Sequence, residues 1–256
     1  MKLGMVTYLW GAEWDLPTLI ANCEKTGFEG VELRSTHKHG VEPDISPMAR
    51  REVRKHFEDS PVTCVGLGSA CEYQDPDHGI VQQNIELTKK FVLLSRDVGA
   101  SGVKVRPNKL VPNEDRRATL ERIGKALNEC GRFAAEHGQE IRVEVHGRGT
   151  NEPAVFRQIM DIADHSSVTT CWNSNPGETI DGSIQKNFDL LKDRIGSVVH
   201  IHDLYGPMYP YRELFTLLRA HGFKGYCLSE SPRTADAVKV MHYYRALFNE
   251  LSGQPA

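Results

Sequence analysis

The chain has 256 residues, 39% hydrophobic, 25% charged and 8% aromatic, with 31 Lys+Arg against 34 Asp+Glu for a formal charge of -3. Those fractions exclude collagen-like and disordered classes, and a chain of this length buries about three quarters of its unfolded surface without staples. The charge balance argues against a nucleic-acid-binding protein.

From the N-terminus, MKLGMVTYLWGAEWD has no signal-peptide core and runs directly into a strand at Leu3–Tyr8, so a cytoplasmic protein is expected. No apolar run of about 18 residues follows that would span a membrane. A helix is predicted over 15–27, then a strand at Gly30–Arg34 and a helix over 46–59. Strand and helix next pair as Val62–Leu67 with 78–98, Gly102–Arg106 with 114–137, and Ile141–Val145 with 152–165. Val168–Trp172 with 183–193, Ser197–His202 with 211–221, and Tyr226–Ser229 with 233–251 complete the series. Apolar residues in the helical stretches recur every three or four positions, as Leu87, Phe91 and Leu94 do. Gly27, Gly99, Gly138 and Gly222 fall at helix ends, where a left-handed cap is expected. Pro17, Pro47 and Pro153 fall in first turns, where a missing N–H costs nothing. The six cysteines (Cys23, Cys64, Cys71, Cys130, Cys171, Cys227) form no CxxC pair and read as buried thiols. Eight strand–helix units with short links predict a single (β/α)8 barrel domain over 1–256. A doubly wound sheet would place a glycine-rich phosphate loop after the first strand, and TYLWGAEWD holds none.

Strands of a parallel sheet covered on both faces usually read as continuous apolar runs. Several strands here alternate instead: Val31 and Leu33 against Glu32 and Arg34, Val103 and Val105 against Lys104 and Arg106, Ile141, Val143 and Val145 against Arg142, Glu144 and His146, and Val199 and Ile201 against Val198, His200 and His202. The barrel interior is therefore rich in charge, which must pair or hold an ion. An internal ion-pair lattice, for example Glu32 with Lys104 or Arg142, is the structural reading for the deeper residues.

At the strand ends, where barrels keep their chemistry, the sequence offers Glu144, Asn173, His202 and Glu230. Two carboxylates, an imidazole and an amide oxygen suit a divalent Mn, Mg, Co or Zn ion. Isomerising or epimerising a sugar beside its carbonyl requires removal of a poorly acidic carbon-bound proton. A divalent ion on the substrate oxygens stabilises the resulting enediolate, while one carboxylate takes the proton and a second returns it from the opposite face. Other candidates surround that set. Arg106, with Lys104 and Lys109, can meet an acidic group, and Glu72 either lines the mouth or caps a loop helix. His37 and His39, in the loop after the second strand, either enter the site or, more commonly for such a pair, lie on the surface; Asp203 can orient His202. Tyr8, Trp10, Trp14 and Trp172 offer either an aromatic wall or packing.

These residues resemble a known family over essentially the whole chain. GVELR, the Glu of VEVHG, the HIH of VHIHD and the Glu of LSES look like those of a xylose isomerase-like barrel, in its ketose 3-epimerase and inosose isomerase branch. The resemblance implies a metal held by Glu144, Asn173, His202 and Glu230, with Glu144 and Glu230 as the proton carriers. It also implies substrate contacts from Arg148, and His146 on the face of Glu144 joins them. Where the family carries Asp in a D-x-x-H arrangement, this chain has Asn173-Ser174-Asn175-Pro176, so one negative charge and the companion His are missing. The expected activity is metal-dependent isomerisation or epimerisation of a small sugar, keto-sugar or polyol derivative. A catalytically inactive carbohydrate- or partner-binding barrel is the alternative, and an apurinic-site endonuclease-like metallohydrolase a further one that the acidic balance disfavours. A homo-oligomer is compatible with the sequence.

Overall fold

In the computed structural model, residues 1–206 and 208–254 are described; positions 207, 255 and 256 of the expected domain lie outside the described residues. Eight parallel strands run β1 (Lys2–Val6), β2 (Gly30–Arg34), β3 (Thr63–Glu72), β4 (Gly102–Arg106), β5 (Glu140–Glu144), β6 (Val168–Cys171), β7 (Val198–Ile201) and β8 (Tyr226–Ser229). Each is followed by a helix: α1 (Leu16–Thr26), α2 (Pro47–Glu58), α3 (His78–Asp97), α4 (Arg116–Glu136), α5 (Pro153–Ile162), α6 (Gln185–Leu191), α7 (Tyr211–Ala220) and α8 (Ala237–Ser252). Strand order β6-β5-β4-β3-β2-β1-β8-β7 pairs β1 with both β2 and β8. The remaining seam is crossed where Gly196 N donates to Thr170 O at 3.0 Å and His200 N to Trp172 O at 2.8 Å. The fold is a (β/α)8 barrel, as predicted.

Local chemistry explains the element ends. Asp15, Ser46, Asp77, Asp115 and Asp236 accept backbone N–H bonds at the starts of α1, α2, α3, α4 and α8, which satisfies donors a helix leaves open. Gly27, Gly99, Gly138 and Gly222 all adopt positive φ, between 64° and 82°. Among the strands β3 departs most from its expected bounds, running five residues past the predicted Leu67 to Glu72, while α5, α6 and α8 are each three or four residues shorter than expected.

The outward faces of the strands, with Val103, Val105, Ile141, Val143 and Val145 fully buried, pack on the helices in one continuous apolar cluster. A small second cluster of Val6, Val65, Cys171, Val198 and Leu228 fills part of the interior. Above it the interior is polar, and β3 makes room for it with glycine: a Cβ at Gly68 would lie 2.9 Å from Glu32 Oε1. The charge lattice expected there exists with different pairs. Lys104 Nζ donates to Glu144 at 2.8 Å, and Arg142 pairs with Glu140 at 2.6 Å while also donating to Val65 O and Ser101 Oγ. Glu32 instead faces His200, with Oε1 at 3.5 Å from Nε2. Pleat alternation predicts which side chains point inward, but not the height at which each head group ends, and that height sets the partner. All six cysteines are free and buried, and among the described residues no helix is long and apolar enough to cross a membrane.

Candidate active site

A cleft of about 310 Å³ opens at the C-terminal ends of the strands. Its β5–β8 side carries Glu144, His146, Asn173, Asn175, His202 and Glu230. Its β1–β4 side carries Tyr8, Arg34, Lys104 and Arg106. Ligand atoms of Glu144, His200 and Glu230 lie within 4.8 Å of one another. Glu144 sits at the end of β5, paired to Cys171 of β6, and is almost wholly buried. Burial alone would raise its pKa, but the Lys104 ammonium and the His200 imidazole outweigh burial and hold the carboxyl well below the ordinary range. Glu144 is therefore ionised, with Oε2 tied to Lys104 and Oε1 facing His200 Nδ1 at 3.7 Å.

His200 and His202 both point inward, two residues apart on β7 and its extension. The ring brought between the two carboxylates is that of His200, with Nδ1 at 3.9 Å from Glu230 Oε2. His200 is fully buried and neither nitrogen has a hydrogen-bond partner. His202, the imidazole expected from the sequence, lines the cleft one layer higher. Its Nδ1 faces Glu230 O at 3.1 Å and its Nε2 faces Asn173 O at 2.8 Å. Two backbone carbonyls orient it rather than Asp203.

Asn173 and Asn175 flank Ser174, whose φ of 52° places it in the left-handed region and turns both amides toward the cleft. Ser174 Oγ anchors the turn on His200 O at 2.9 Å. Asn173 Oδ1 is buried without a partner. Asn175 Nδ2 donates to Val145 O and to Glu178, a fully buried carboxyl that also accepts from Tyr209 OH, itself an acceptor for Trp172 Nε1. Burial raises the Glu178 pKa to about 7 despite those donors. Glu178 was not anticipated, because nothing in PGET marks its side chain as buried.

The other expected residues divide. His146 and Arg106 line the cleft. Glu72 stands behind Arg106 rather than at the mouth, accepting from Arg106 Nη2 and Asn108 Nδ2, both at 2.7 Å. Arg148 is exposed and meets the β4 loop through its backbone, with Leu110 N donating to Arg148 O at 3.0 Å. Lys104 is committed to Glu144, and Lys109 is exposed. The His37–His39 pair is not a surface pair. His39 is buried, its Nδ1 accepts from Val41 N, its Nε2 donates to Arg34 O, and burial pulls its pKa down to about 4. Trp10 and Trp172 are packing residues, edge-on to Tyr244 and Phe188 respectively. Tyr8, one of the aromatics that offered a wall or packing, lines the cleft, and so does Arg34, which alternation placed on the inward face of β2.

A profile of the xylose isomerase-like TIM barrel family matches residues 20–247. The chain belongs to that family. No curated protein matches it by sequence. Among solved structures it is similar to D-psicose 3-epimerase from Clostridium cellulolyticum H10, with a TM-score of 0.81 and 16% identity over 100% of both chains. It is also similar to the 3-keto-D-glucoside 4-epimerase YcjR from E. coli, with TM-score 0.78 and 15% identity over 99% of each chain. A third similar structure is the IolI protein with a bound zinc atom, with TM-score 0.76 and 15% identity over 99% of this chain and 98% of that one.

Proposed function

We propose that this protein is a divalent-metal-dependent isomerase or epimerase of a small sugar, keto-sugar or polyol derivative. The observation that carries the reading is the placement of two carboxylates, Glu144 from β5 and Glu230 after β8, on one cleft with the His200 imidazole between them. Similar structures that are sugar epimerases by name support it.

The donor set fits a divalent ion. Asn173 Oδ1 is an orphaned buried oxygen, Glu144 keeps Oε1 unbonded, and both nitrogens of His200 lack partners. With Glu230 these give the mixed N/O donors that Mn, Mg, Co or Zn accept. Glu144, Asn173, His200 and Glu230 would hold the ion, with His202 on the substrate side. When bound, such an ion stabilises negative charge developing on the substrate's carbonyl and hydroxyl oxygens.

The chain's own residues account for the proton steps. Glu144 is ionised and so stands ready to accept a carbon-bound proton. Glu230, from a strand three positions round the ring, reaches the substrate from another side and exchanges a proton with the opposite face. Lys104 keeps one Glu144 oxygen engaged and leaves the other toward the cleft. The test is incubation of the purified protein with manganese, cobalt, magnesium or zinc and a panel of ketoses, aldoses and polyol-derived ketones. Appearance of an epimer or isomer with one of these ions supports the reading. No conversion of any sugar, with no metal copurifying, would establish a binding barrel instead.

A further inference from the structure

Arg34 is the cation this cleft does not use. It ends β2, lines the cleft, and has no carboxylate within ion-pair distance among the described residues. Its guanidinium lies 5.4 Å from the Tyr8 ring centroid, and its one polar side-chain contact is a long 3.4 Å bond to Ser35 O. The backbone beneath it is held firmly: Arg34 N donates to Thr7 Oγ1 at 3.0 Å and Arg34 O accepts from buried His39 at 2.9 Å. Arg106 stands two strands away on β4. Glu72 occupies only its Nη2, while Arg106 Nε is buried without a partner. Glu72 itself also accepts from Asn108 and Gln74, so its charge is shared among three donors. The cleft thus has an acidic arc over β5–β8 and a basic arc over β2–β4, with unspent N–H donors on the second.

We infer that the substrate is an anionic sugar derivative, carrying a carboxylate or a phosphate that Arg34 and Arg106 receive while its carbonyl and hydroxyl carbons lie over Glu144 and Glu230. This rests on the isomerase reading for the second half of the statement only. Planar guanidinium forks match both oxyanions in two-point geometry, which a neutral hydroxyl does not reward. The cleft volume of about 310 Å³ is at the small end for ligand sites, which favours a single sugar unit.

The test is calorimetric titration of the protein as purified with D-gluconate, D-glucose 6-phosphate and D-glucose, repeated on Arg34→Gln and Arg34→Lys. At least one of the two anions is expected to bind tenfold or more tightly than glucose, and which one does so separates carboxylate from phosphate. Arg34→Gln should abolish that margin, and Arg34→Lys should retain part of it. Thermal unfolding should be near parental for both variants, since Arg34 is only half-buried and unpaired. Equal binding of all three compounds by the parent, or anion binding undiminished in Arg34→Gln, overturns the inference. Anion binding through Arg34 with no sugar converted would sink the isomerase reading and leave the anion site standing. Conversion of neutral ketoses without anion binding would do the reverse.

Discussion

Replacing Lys104 with Met removes the one ammonium in the polar interior while keeping most of its volume. The Lys104–Glu144 pair is 2.8 Å long with side chains only 5% and 3% exposed, so solvent screens it little. Deleting one partner of a buried pair costs about 3–5 kcal/mol, because the other charge is left desolvated. For a chain of this size that corresponds to a fall in melting temperature of roughly 6 to 20 °C. The loss should depend on pH in a defined direction. In the parent, Glu144 has a folded pKa well below the ordinary value, so its contribution is present above the unfolded pKa and disappears as pH falls through the lower folded one. In Lys104→Met the carboxyl loses its counter-charge and its pKa rises, so it takes up a proton on folding. The gap between parent and variant is therefore largest near pH 7 and narrows toward pH 4. Adding Glu144→Gln to the variant should recover part of the stability at pH 7. Thermal melts of the three proteins at both pH values decide the matter. A deficit equal at pH 7 and pH 4, or below about 1 kcal/mol, would refute the buried-pair reasoning and leave only a packing change.

Three further outcomes are expected. Asn173→Asp adds a charged oxygen where a buried amide oxygen has no partner, and should tighten manganese binding roughly tenfold in calorimetry. Manganese titration of His200→Ala and His202→Ala should show a loss of tenfold or more for the first and a smaller one for the second, since only the His200 ring lies against both carboxylates; the reverse order would move the metal up one layer. Glu178 has its pKa raised to about 7 by burial, so the stability it contributes is complete below about pH 4.5 and lost as pH rises to about 7, some 3 kcal/mol in all. Glu178→Gln should remove that pH dependence, and urea unfolding curves that shift in parallel with the parent's between pH 5 and 7.5 would contradict it.

The barrel was legible because its signals are local. Strand runs such as Gly30–Arg34 and Gly102–Arg106, first-turn prolines and positive-φ glycines each mark their own element. The inward face was legible for the same reason, since a two-residue period assigns Glu32, Lys104, Arg142, Glu144 and His200 to the interior. What alternation cannot give is depth. His200 and His202 share a face, and only the stagger of β7 against β8 shows which ring meets Glu230. Depth also decides that Lys104 reaches Glu144 rather than Glu32. Loop residues were least legible. Tyr8 lies beyond β1, next to Leu9 at positive φ, and its place on the cleft could not be separated from packing in the sequence, whereas Arg34 ends β2 on the inward face that alternation assigns. Glu72 was read as a loop residue, lining the mouth or capping a helix, because β3 was taken to end at Leu67; β3 in fact runs on to Glu72, which pairs with Arg106 of β4.

Solvent deuterium uptake into a converted sugar, at saturating manganese, reads the proton step itself. The parent should incorporate deuterium at the carbon that changes configuration or oxidation state. Glu230→Gln, which keeps size and one oxygen but loses the basic lone pair, should slow that exchange by a factor of roughly 100 to 10,000 even when fully loaded with metal. Exchange in Glu230→Gln as fast as in the parent would remove Glu230 from the chemistry and contradict the two-carboxylate account.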